Sequence, residues 1–137
     1  MSAASNYLEN KVLDHVLTAT SYSAPGTRYI GLFKSPVSLN ATDADLEAGT
    51  LTNEVSGNGY ARKAATFAAA SSGSSSTNAD VTFDAATGSW GEITHVAVMD
   101  ALTTGNVLFW GRVTTAKTIE NGDTFKITSG NLTITLA

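Results

Sequence analysis

A few residues in this chain have types and spacings that could do chemistry. "SGNGYARK", Ser56 to Lys63, sets two glycines ahead of Arg62 and Lys63 and so has the parts of a phosphate cradle. A phosphate loop also needs a lysine followed by Ser or Thr, and a helix N-terminus facing the anion. Here Lys63 is followed by Ala64, and "YARKAATF" favours a strand. The stretch therefore reads as a turn entering a strand, with Gly57 and Gly59 supplying unusual backbone angles. Arg62 and Lys63 must then point to opposite faces. One of them needs a partner, such as an acid on a neighbouring chain.

Histidine, carboxylate and tryptophan chemistry can be tested the same way. His15 and His95 are the two histidines, and the chain has no cysteine. A histidine base needs a nucleophile held within hydrogen-bond reach. Most serines lie in "SSGSSS", and no G-x-S-x-G elbow is present. Both histidines read as structural or surface residues. Asp43, Asp45 and Glu47 alternate as calcium ligands do in a loop. The glycine such a loop requires falls one place late, at Gly49. A solvated acidic loop is the plainer reading, with no metal or cofactor implied. Trp90 and Trp110 each precede a glycine, in "SWGEI" and "FWGRV". They read as packed aromatics, and as ligand-stacking residues if they are exposed.

The elements that would position these residues are mostly strands. Residues 6–19 form a helix: Leu8, Val12 and Val16 recur every four positions beside Leu13 and Leu17, with Asn6 as N-cap and Glu9 completing a capping box. Such a helix packs on a sheet or on a neighbouring subunit. "RYIGLFK" is a strand, and residues 35–58 read as a long loop with a helical turn near "DADLEAG". Strands follow at Tyr60–Phe67, Asp80–Asp84, Glu92–Met99 and Val107–Val113, with the Ser-rich stretch 70–79 as a mobile linker. "VAVM" is apolar on both faces, as in a central strand. An Asn-Gly turn falls within 120–123. "TFKIT" and "NLTITL" alternate, placing Phe125, Ile127, Leu132, Ile134 and Leu136 inward and joining as a hairpin at Gly130-Asn131. About seven strands and one N-terminal helix specify a mainly β, antiparallel β-sandwich in a single domain spanning 1–137.

Composition narrows the function. Charged residues are 15% of the chain, and Lys and Arg total 8 against 12 Asp and Glu, for a net charge of −4. No basic stripe of the kind nucleic acid requires is visible. No apolar run is long enough to span a bilayer, and the N-terminus carries no secretion signal. Neither nucleic acid nor membrane is an expected partner.

Six segments, in order, resemble a known family. They are "YLENKVLDHVL", "YIGLF", "EVSGNGYARKAATF", "SWGEITHVAVMDA", "GNVLFWGRVTTAKTIENGDTF" and "GNLTITL". Together they resemble small tailed-bacteriophage virion proteins, often labelled tail fibre protein, some of whose relatives decorate or cement capsids. The resemblance covers nearly the whole chain and is weak over 35–53. It implies a non-enzymatic virion structural protein, released with the particle. Capsid decoration is the favoured role, with the major capsid protein as partner and a homotrimer as the assembly. A tail-fibre or baseplate protein attaching to a host-surface glycan is the alternative. The expected assembly contacts are Leu8, Val12, Leu39, Leu46, Arg62 and Lys63; under the alternative, Trp90 and Trp110 stack on ligand.

Overall fold

The alternating apolar runs decide the architecture. The computed structural model describes residues 2–136. Among them the order is β1 (Ser2–Ala4), α1 (Asn6–Leu17), β2 (Arg28–Phe33), α2 (Leu39–Ala48), β3 (Lys63–Ala65), β4 (Ser74–Ser76), β5 (Val81–Thr82), β6 (Gly91–Met99), β7 (Val107–Ile119), β8 (Lys126–Ile127) and β9 (Thr133–Thr135). The frame is a five-stranded antiparallel sheet, ordered β1-β7-β6-β2-β3. Two ribbons, β4-β9 and β5-β8, form the second layer. The fold is the mainly β, antiparallel sandwich with an N-terminal helix that the sequence specifies, its second layer split in two.

Side-chain alternation sends each long strand to two cores. Ile30, Leu32, Val96 and Val98 face the ribbons, where they meet Val81, Phe83 and Phe125. Phe33, Ala97 and Met99 face the opposite side and meet Leu46 of α2. That explains the unbroken "VAVM" run, since both faces of β6 are covered. A register shift between Val98 and Met99 pairs them with Phe109 and Val107, so Leu108 is the extra residue of a bulge. Leu108 and Phe109 therefore both pack on the ribbon side, while Val107 and Trp110 pack on the α2 side.

Several sequence expectations are corrected. The 35–58 segment is not all loop. It contains α2, capped by the Ser38 hydroxyl accepting from the Ala41 amide and ended by Gly49 at φ +83°. The apolar signal of α2 is sparse, with only Thr42 and Leu46 buried, so the helix has little periodicity to betray it. The N-cap of α1 is Ser5, not Asn6: its hydroxyl accepts from Leu8 N–H and donates to the Val107 carbonyl. Regular helix stops at Leu17, and Ala19 takes a left-handed φ of +55°. β3 begins at Lys63 rather than Tyr60. The Ser-rich stretch is partly ordered as β4, whose Ser76 hydroxyl lies 2.8 Å from that of Thr133.

The C-terminal segments do not pair with each other. β8 pairs with β5 and β9 with β4. The connection between them is strapped to the β4–β5 link instead: Ser129 N–H donates to Asp80 and Gly130 N–H to the Thr77 carbonyl. Phe125 is buried and Ile127, Leu132 and Ile134 are half-buried, but Leu136 is 58% exposed rather than inward.

Candidate functional site

Most of the polar side chains that the sequence singles out belong to two internal braces. The first joins α2 to the sheet. On a helix, Asp43 and Glu47 share a face because they are four residues apart, whereas Asp45 points away. The alternate spacing that would converge on a cation in a loop is thereby dispersed. Asp43 accepts from Arg112 Nη2 at 2.5 Å and lies 2.6 Å from His95 Nε2. Arg112 also reaches Asn40. Glu47 accepts from the Trp110 indole N–H at 2.8 Å, and Asp45 accepts from Asn53. Hydrogen bonding from Arg112 holds the Asp43 carboxyl below its usual pKa, burial opposing and His95 assisting. No group of three His, Cys, Asp or Glu among the described residues is arranged to hold a metal.

His95 also contacts hydroxyls on its other side. Its Nδ1 lies 2.8 Å from Thr94 Oγ1 and 3.4 Å from Ser35 Oγ. Hydroxyl, imidazole and carboxylate in series are the components of a nucleophilic triad. Here His95 is fully enclosed and Thr94 is 6% exposed, so the series ties α2 to β6. His15, by contrast, is exposed on α1 and accepts the Tyr22 amide N–H at Nδ1.

The second brace lies in the opening stretch. Gly57, Asn58 and Gly59 all take positive φ, at +73°, +52° and +80°. This left-handed run turns the chain so that Tyr60 and Arg62 face back toward Glu54. Arg62 grips Glu54 with two bonds of 2.7 Å, Nε to Oε2 and Nη2 to Oε1. Its Nη1 donates to the Ala101 and Thr104 carbonyls of the β6–β7 connection. Tyr60 donates to Glu54 and accepts from Leu32 N–H. Desolvation works against the Arg62 charge, but bonding to Glu54 outweighs it and raises its pKa. Burial, helped by the Glu54 charge, pushes the Tyr60 phenol well above its usual value. A bidentate pair of this geometry is among the strongest side-chain contacts. The acid that Arg62 needs is on its own chain, and Lys63 pairs with Asp84 at 3.0 Å.

Both tryptophans are core residues. Trp90 is 1% exposed, donates to the Asn58 carbonyl, and packs edge-on to Tyr60 with ring centroids 5.5 Å apart. Trp110 is 8% exposed and held by Glu47. Both are packed, as their sequence context favours, and the exposure that the alternative of ligand stacking needs is not found. Leu46, expected at an assembly contact, is fully buried beneath α2, and Leu8 is buried against the ribbon-side core. Leu39 and Val12 are exposed at 43% and 39%.

What remains outward is α1. Its burial is confined to the first turn: after Leu8, every residue through Thr20 is exposed. Val12, Leu13, Val16 and Leu17 face solvent, the last two at 69% and 73%. The role of Glu54 and the network around Asp43 were not distinguishable in sequence. The only available signal was an Arg and a Tyr following Glu54 within one glycine-rich turn.

The described chain is a braced antiparallel β module with one exposed apolar helix face. The chain belongs to the family described as Podophage GP4 fiber I protein gp80, whose profile matches residues 3–135. It is thus a small phage virion protein of tail-fibre type. A comparison with curated proteins finds no match.

Proposed function

We propose that this chain is a non-enzymatic building block of a phage fibre, acting through docking rather than catalysis or sugar stacking. One observation carries the reading: the polar clusters are spent on internal braces, while the apolar stripe of α1 is left to solvent. Isolated helices of this length are marginal in water, and most helical stability comes from packing an apolar face. A twelve-residue helix that buries only Leu8 is therefore built for a partner. The family description supports a fibre position over the capsid-decoration role that the sequence suggested. The burial of Trp90 and Trp110 removes the stacking surface that glycan attachment would have used. Immunogold imaging of particles tests the position. Label on fibres or tail supports the proposal, and label spread over the head supports decoration instead. Particles carrying Val16→Asp should lack the protein while the purified variant still folds; normal incorporation would refute docking through α1.

A further inference from the structure

Beyond α1, the described surface carries a further apolar feature. An open groove of about 420 Å³ runs between the main sheet and the β4-β9 ribbon. Phe67, Leu108, Phe109, Ile134 and Leu136 line it, and α1 of the same chain does not. The volume far exceeds the ~30 Å³ share of a single water, so solvent filling leaves apolar surface wet. Its one charged lining residue is Arg28. The Arg28 guanidinium donates to the Pro25 carbonyl and makes no ion pair among the described residues.

α1 has the complementary features. At 100° per residue, Glu9 lies between Val16 and Leu13, in the middle of the exposed apolar face. Glu9 likewise makes no ion pair among the described residues. Two α1 helices packed face to face would set two glutamates in one apolar seam. Packing α1 into the groove instead sets one glutamate against one arginine. An apolar helix face entering an apolar groove is a recurrent recognition mode.

We infer that α1 of one copy docks into the Arg28-rimmed groove of a second copy, with Glu9 pairing to Arg28. This deepens the docking proposal by naming the partner as the chain itself. It is tested on purified protein, so its failure leaves the virion role standing.

The test is sedimentation of the full chain over a broad concentration range. Wild type self-associates. Leu17→Asp on α1 and Leu136→Asp in the groove each give a monomer, with an unchanged far-ultraviolet spectrum because both positions are exposed. Mixing the two variants restores a one-to-one pair, because one retains a groove and the other a helix. Glu9→Arg weakens association by about tenfold, and adding Arg28→Glu on the same chain recovers it. A wild type that stays monomeric overturns the inference. So does a Leu136→Asp variant that still associates, which would mean helix pairs with helix. Failure of the mixed variants to pair, with both folded, overturns it as well.

Discussion

The two helices are of similar length and meet opposite fates. α1 has the stronger apolar stripe yet buries only Leu8, while α2 has a weak stripe but buries Thr42 and Leu46 and bonds to the sheet through Asp43 and Glu47. The difference lies in what each helix faces. α2 lies over Phe33, Ala97, Met99 and Trp110, with Leu46 completing that core and Asp43 and Glu47 bonded to the sheet. α1 leaves the sheet after one turn, fixed by Ser5 and Leu8. A strong apolar pattern is thus no guarantee of burial within one chain. Polar residues can anchor a helix when the sheet beneath supplies partners.

The contrast can be broken most forcefully at the loop that follows α2. Arg62→Ala should cost about 3–5 kcal/mol, because it leaves the largely enclosed Glu54 carboxylate without its guanidinium partner and frees the Ala101 and Thr104 carbonyls. Urea denaturation checks this, and a loss under 1 kcal/mol would show that the brace is idle. Leu46→Ala, beneath α2, should cost about 2–5 kcal/mol through loss of buried volume. The loss of its packing should appear in calorimetry as a lowered melting temperature.

Asp43→Asn separates the polar anchor from the apolar one, and should cost about 1–3 kcal/mol near neutral pH. The folded carboxyl titrates below its unfolded value, so its contribution is complete above about pH 5. It fades as pH falls through the unfolded and then the folded pKa. Wild type should therefore lose its advantage over Asp43→Asn on acidification below about pH 4. Parallel stability curves would deny Asp43 this role. The smallest effect belongs to α1: Leu17→Ala should change monomer stability by no more than about 0.5 kcal/mol. Measured at dilutions where chains are separate, a larger loss would mean that α1 is already packed.

Legibility in the sequence followed the range of the interaction. The β6 and β7 runs, the Asn-Gly turn ending β7, and α1 all rest on local periodicity or local turn chemistry. Gly122, at φ +88° in that turn, is such a local case. The hairpin expected at Gly130-Asn131 failed because the two strands found better partners far away in sequence. β9 reaches Ser74–Ser76 and β8 reaches Val81–Thr82. Trp90 and Trp110 read as packed aromatics, but their partners, the Asn58 carbonyl and the Glu47 carboxylate, were not legible. One of Arg62 and Lys63 was expected to need a partner, but which one, and that Glu54 of the same chain supplies it, depended on three successive left-handed residues that turn the chain.

The sequence by itself determined the alternating strands, the amphipathic first helix and the shortage of charge. These follow from side-chain period and composition, which need no tertiary context. Only the tertiary structure decided which apolar residues stay wet, which carboxylates are consumed and where an open groove remains. Burial and ion pairing depend on neighbours dozens of residues away: Asp43 meets His95 and Arg112, and Glu47 meets Trp110, across gaps that no local pattern records.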